Sequence, residues 1–211
     1  RDDTWRLASL PKGSLNLKNC KFVATFVHTV LSRSCCFSML MIDYWIKRGR
    51  ILRVIDLYAG VGGWAVGFKL AGFEITKSYE WWKPAAETHH ANSSSDVLVE
   101  DIRKLDFTTL PKNIDIVIGS PPCTQFSYSN RGGSGDISDG LVDLEQFLKV
   151  VRYTTPKAWA FENVPRVKNV LERELAAGGS LEEYACLFDD ASMEIFDISQ
   201  FGIPQRRKRC I

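Results

Sequence analysis

From Ile51 onward the sequence predicts an α/β fold, a largely parallel sheet covered on both faces by helices. Three observations carry that expectation. Apolar runs of strand length alternate with helix-like patterns. The runs Ile51–Leu57 and Ile114–Ile118 are apolar along most of their length, as strands buried on both faces require. Each then enters a turn of small or stiff residues, Ala59-Gly60-Val61-Gly62-Gly63 in one case and Gly119-Ser120-Pro121-Pro122 in the other.

Taken in order, Ile51 to Leu57 is the first strand, and Trp64 to Ala71 a helix ended by Gly72. Phe73 to Tyr79 is a second strand that delivers Glu80 at its end. A helix follows over Pro84–Ala91, with proline near its first turn. Val97 to Glu100 is a short third strand ending at Asp101, and Ile114–Ile118 the fourth. Leu141–Val151 is helical, after a glycine- and serine-rich loop over Arg131–Gly140. Ala158–Phe161 makes a fifth strand ending at Glu162, Val167–Ala177 a helix closed by Gly178-Gly179, and Glu194–Ile198 a sixth strand.

The net charge of +2 conceals an asymmetry, since residues 1–50 carry +6 and the remainder −4. A weakly acidic body excludes a polyanion footprint spread over its whole surface, so any nucleic-acid contact is expected to be local. The six cysteines (Cys20, the adjacent Cys35-Cys36, Cys123, Cys186 and Cys210) show no metal-ligand spacing, and no metal is expected. The apolar runs Phe22–Val27 and Phe37–Ile42 fall short of the roughly 18 residues of a membrane helix. No secretion signal is recognisable, which points to a reduced, intracellular compartment and no membrane partner. Residues 1–50 form an extension to which no function is assigned.

The strand ends carry the chemistry. Gly60-Val61-Gly62-Gly63 lets backbone approach a ligand at a helix N-terminus. Glu80, 24 residues after Asp56, can accept hydrogen bonds from both ribose hydroxyls of a nucleoside. Trp81 offers a face for a purine, and Asp101 an acceptor for an exocyclic amine. A dinucleotide site would use the same sheet. Cys123 stands at the end of a buried strand on a loop stiffened by two prolines, where a thiol meets the crevice of an open sheet.

Four segments in this order, Arg53–Trp64, Gly119–Ser127, Phe161–Val164 and Gly202–Arg209, resemble the DNA (cytosine-5) methyltransferase family from Leu52 onward. The resemblance implies a Rossmann-like methyltransferase sheet over 51–211, with S-adenosylmethionine as cofactor and cytosine in DNA as substrate. In the family's pattern Asp56, Tyr58, Ala59, Gly60, Gly62 and Gly63 approach the methionine part of the cofactor. Glu80 takes the ribose, Trp81, Asp101 and Ile102 the adenine, and Pro121 also lies on the cofactor side. Trp81 is expected to stack and Trp82 to pack in the core.

The implied reaction explains the remaining motifs. C5 of cytosine is a poor nucleophile until a thiolate adds to C6, so Cys123 is the expected nucleophile. Glu162 is expected to hold N3 and the 4-amino group, and must carry a proton when the adduct forms. Asn163 would brace the loop at Pro121-Pro122, and Arg207 and Arg209 would face the flipped base and its phosphate. Two departures stand out. Tyr58 occupies a place where phenylalanine is common, and Thr124 follows the nucleophile where glutamine is usual, with Gln125 one place on.

The family's pattern continues past Arg209 into a last strand and a target-recognition domain, so the sheet reads as truncated before that strand, leaving the sixth strand an open edge. Contacts that repay base flipping are expected from the remainder of a longer polypeptide or from a partner chain. Two alternatives share these motifs: methylation of cytosine C5 in transfer RNA, and a non-catalytic cofactor-binding subunit of a split methyltransferase. An amino-group methyltransferase is disfavoured by Cys123, Glu162 and the arginine turn.

Overall fold

The computed structural model describes residues 49–93, 95–124, 126, 137–201 and 204–211. The apolar runs before residue 48, most of the 131–140 loop, Gln125, Ser127 and Gly202-Ile203 lie outside the described residues.

Five strands form one wholly parallel sheet in the order β3-β2-β1-β4-β5. They are β1 (Arg53–Leu57), β2 (Glu74–Glu80), β3 (Val97–Val99), β4 (Ile116–Gly119) and β5 (Ala158–Phe161). Helix α1 (Gly63–Leu70) joins β1 to β2, α2 (Lys83–Ser93) joins β2 to β3, and α3 (Ser138–Thr154) joins β4 to β5. A fourth helix, α4 (Arg166–Glu174), follows β5. From β1 the chain winds outward through β2 and β3, then returns to β4 on the other side. The carboxyl ends of β1 and β4 therefore flank the switch point where open sheets bind ligands.

The strand sequences explain the layering. Ile55 and Leu57 point into a core shared with Val117, Phe161 and the α3 residues Leu144, Phe147 and Leu148. The alternate positions Val54, Ile116 and Ile118 face a second core with Ala65 and Phe68 of α1 and Phe73. Both faces of β1 and β4 are covered, which is why these strands read as apolar runs rather than as alternation. Gly119 ends β4 where a side chain cannot fit. A Cβ there would stand 2.6 Å from the Leu57 carbonyl oxygen and 3.0 Å from the Phe147 ring.

Three expectations are corrected. The strand expected only after Arg209 is already present as β7 (Lys208–Cys210), and it pairs antiparallel with β6 (Ile195–Asp197). The sixth strand is thus not an open edge, since β6 has a partner. The two form a separate hairpin, tied to the end of β5 by paired backbone bonds between Asn163 and Cys210. Secondly, α3 starts at Ser138 rather than Leu141. Gly140 is a buried helix residue, because only a missing side chain leaves room for the Phe126 ring 2.6 Å from its Cβ direction. Thirdly, Trp82 does not pack in the core: it opens α2 on the surface and is 57% exposed.

Candidate active site

The loop after β4 is held from several sides. Ser120 N–H donates to the Leu57 carbonyl at 3.2 Å, and its Oγ accepts from Trp64 Nε1 at 2.9 Å. Asn163 Nδ2 donates to the Pro121 carbonyl at 3.0 Å, the brace expected from the sequence. Phe126 N–H closes a turn onto the Cys123 carbonyl at 3.1 Å, and its ring is buried. The half-buried Cys123 thus presents a free thiol on a loop anchored at Ser120, Pro121 and Phe126.

Glu162 follows β5 beside that loop, its N–H bonded to the Gly119 carbonyl at 2.9 Å. Its Oε1 lies 2.5 Å from Arg209 Nε, both side chains being largely shielded. The β6–β7 hairpin supplies this arginine because Asn163 and Cys210 pair their backbones in both directions, at 2.9 and 2.8 Å. The Cys210 thiol is buried there, and burial pushes its pKa up to about 11, so it is inert as a nucleophile. Arg207 lies exposed on the approach to β7.

At the end of β1, Asp56 is fully buried and neither of its oxygens closes a hydrogen bond. Burial holds its pKa well above the carboxylate range, with the Ala65 backbone offsetting part of this and Glu80 adding to it. Tyr58 has a left-handed backbone, φ 53°. Ala59 N–H is held by the Tyr79 carbonyl at 3.0 Å, and Gly62 by the Ala59 carbonyl at 3.0 Å. Gly62 needs its glycine twice over: φ is 91°, and a Cβ would meet the His89 ring at 3.0 Å. Gly63 opens α1 on the surface. Glu80 fastens this turn, accepting from Gly60 N–H at 2.9 Å and from Trp82 N–H at 2.8 Å.

Beside the turn a cavity of about 310 Å³ is lined by Tyr58, Trp81, Asp101, Ile102, Arg103, Pro122 and Asp143. The structure thus brings together Tyr58, Trp81, Asp101 and Ile102 from three segments. Trp81 is 66% exposed, free to cover a ligand face. Asp101 caps a 3₁₀ turn by accepting from Arg103 N–H at 3.0 Å. Pro122 lines the cavity, whereas Pro121 is buried and anchors the loop. A nucleoside fits this set: an aromatic face, a carboxylate at the rim and, on the adjoining turn, backbone amides at a helix N-terminus.

Sequence reasoning missed three residues here. Arg103 and Asp143 complete the cavity wall. The signal for Asp143 was an acid on the apolar stripe of α3, among Gly140, Leu144 and Phe147. His89 lies buried under the glycine turn with neither ring nitrogen bonded, and burial lowers its pKa. No motif includes it. Among the described residues no cluster could hold a metal, and no helix is long and apolar enough to cross a membrane.

A five-stranded parallel sheet with a nucleoside-sized cavity and a cysteine loop at its switch point is a Rossmann-like arrangement. The model of the family C-5 cytosine-specific DNA methylase matches residues 52–211, and the chain belongs to that family, whose methyl donor is S-adenosylmethionine. The type II methyltransferase M.HindV of Haemophilus influenzae is 33% identical over 164 residues, 75% of this chain and 51% of that protein. M.AquIA of Picosynechococcus is 30% identical, over 74% of this chain and 69% of that one. Among solved structures, a protein described as a DNA modification methyltransferase from an E. coli prophage superimposes with TM-score 0.56 at 29% identity, covering 75% of this chain and 45% of that one. The S. pombe Dnmt2 methyltransferase shares the fold, with TM-score 0.55 at 21% identity over 76% of this chain and 48% of that one. The chain spans about half the length of most of the curated relatives it matches.

Proposed function

We propose that this chain carries the catalytic core of a DNA (cytosine-5) methyltransferase acting through a covalent Cys123–C6 adduct. The observation that supports this best is the pairing of β4 with β5. It sets Cys123 and the Arg209-held Glu162 after neighbouring strand ends, with the cavity on the same edge of the sheet.

Tyr58, Trp81, Asp101, Ile102 and Pro122 would hold the nucleoside end of S-adenosylmethionine, and the glycine turn fastened by Glu80 its remainder. The bound donor supplies an electrophilic methyl group. Cys123, as thiolate, forms the Sγ–C6 bond, and the electron pair displaced from the C5–C6 double bond becomes nucleophilic at C5. Glu162 holds a proton at N3, which neutralises the charge that addition places on the ring. Arg209 keeps the carboxyl group turned toward the base rather than into solvent. Once C5 carries both its methyl group and its original proton, a base removes the proton. The electron pair of that C–H bond then restores the double bond and expels Sγ from C6.

Cytosine in DNA, flipped from its stack, is the proposed substrate. Contacts to both grooves are assigned to a continuation of the polypeptide or to a partner chain. An intracellular location follows from that substrate. The test is trapping on a DNA oligonucleotide containing 5-fluorocytosine, whose C5–F bond blocks the elimination. With S-adenosylmethionine present, the wild type is expected to give a denaturation-stable adduct and Cys123→Ser none. An adduct that survives the substitution, or one formed only on an RNA strand, would overturn the nucleophile or the substrate respectively.

A further inference from the structure

We infer that Asp143, paired with Arg103, is a positioning residue that fixes Tyr58 and the Asp101-Ile102 turn in the wall of the cofactor cavity. The inference rests on reading that cavity as the S-adenosylmethionine site.

Asp143 sits on the buried side of α3 with its side chain only 7% exposed. A carboxylate so placed is costly unless it is paired and hydrogen-bonded. Arg103 meets it as a fork, Nε to Oδ1 at 2.8 Å and Nη2 to Oδ2 at 2.9 Å. Two-point geometry of this kind fixes direction as well as distance. The Tyr58 hydroxyl reaches the same Oδ1 at 3.3 Å and the Asp143 carbonyl at 3.2 Å. Alongside, Gln146 Nε2 donates to the Ile102 carbonyl at 2.9 Å. One carboxylate therefore joins three segments that are not neighbours in sequence: the end of β1, the turn after β3, and α3.

Tyr58 needs such a fixture. Its left-handed backbone, φ 53°, is a conformation that side-chain-bearing residues avoid, and it persists only where surroundings enforce it. With the backbone held by the strand end and the hydroxyl held by Asp143, the ring has one orientation in the cavity wall. Burial and the neighbouring Asp143 raise the Tyr58 pKa, so the hydroxyl remains a donor. Asp101 and Ile102, the other expected contacts to the purine, are referenced to the same carboxylate through Arg103. Losing it frees the aromatic ring and the turn to move independently, which weakens the site although Tyr58, Asp101 and Ile102 all remain.

The experiment measures S-adenosylhomocysteine binding by calorimetry for the whole chain, its Asp143→Asn and Tyr58→Phe variants and the double variant, with Tm in parallel. Asp143→Asn is expected to weaken Kd about tenfold and Tyr58→Phe about threefold, each the cost of one weakened or lost hydrogen bond. The double variant should bind no more weakly than Asp143→Asn alone, because the hydroxyl acts through that carboxylate. Wild-type binding with both single variants within twofold of it, whatever their Tm, would overturn the positioning role. Should Asp143→Asn not fold, Tyr58→Phe decides, since it removes one oxygen and leaves the ion pair. A wild type that binds no S-adenosylhomocysteine would instead overturn the cofactor reading, and this inference with it.

Discussion

The side-chain amide of Asn163 holds the Pro121 carbonyl while its backbone pairs twice with Cys210. A buried bond of this type is worth about 1–3 kcal/mol when its partner is left unsatisfied. Asn163→Ala is therefore expected to lower stability by about that amount in denaturant titration, and to lower kcat more than it raises KM, because the loop that carries Cys123 loosens. This brace was legible only through the resemblance to the methyltransferase family, since Asn163 and the Pro-Pro turn lie far apart in the sequence. His89 was not legible, because its place under Gly62 depends on how α2 packs rather than on any motif. Its pKa is lowered by burial from an ordinary 6.5, so the unfolded chain takes up a proton that the folded ring does not. Stability from the neutral ring is complete above 6.5 and is lost as the pH falls toward the folded value. Asp56, with its raised pKa, contributes the opposite slope, stability falling as the pH rises above the ordinary 3.8. His89→Phe should flatten the fall in Tm between about pH 7 and pH 5, as thermal scans across that range would show.

At the scale of elements, β1, β4 and β5 were readable because buried parallel strands are apolar runs ending in turn residues. The start of α3 was not, since Gly140 looks like a loop residue until the Phe126 ring is seen against it. Gly140→Ala puts a methyl group 2.6 Å from that ring. It is expected to cost about 1–3 kcal/mol by overpacking, measured in denaturant. Because Phe126 closes the turn at Cys123, methyl transfer should fall further than the stability loss explains. Only the start of β7, at Lys208 rather than after Arg209, escaped the sequence, because a three-residue strand next to charged residues has no periodicity to show. What defines it is pairing, in which Asp197 faces Lys208 and Ile195 faces Cys210.

For the whole molecule, the two cores follow from successive side chains of β1 and β4 pointing to opposite faces, whereas the ion pair at Asp143 joins segments that the sequence keeps apart. The charge asymmetry has a direct consequence for binding. With −4 on residues 51–211 and +6 on residues 1–50, non-specific affinity for DNA should reside mainly in the first segment. Removing residues 1–48 is expected to flatten the dependence of log K on log salt, measured by anisotropy with a duplex lacking cytosine. An unchanged slope would place the phosphate contacts on the sheet domain.

The pairing of Arg209 with Glu162, made possible by the Asn163–Cys210 bridge, also has a temporal side. During synthesis the five parallel strands leave the ribosome well before Arg209 does. A nascent chain can thus complete its five-stranded sheet and the core beneath α1 while Glu162 still lacks its guanidinium. Reactivity toward cytosine would then switch on only when β7 emerges and docks, so partly made chains should bind the methyl donor before they can use it.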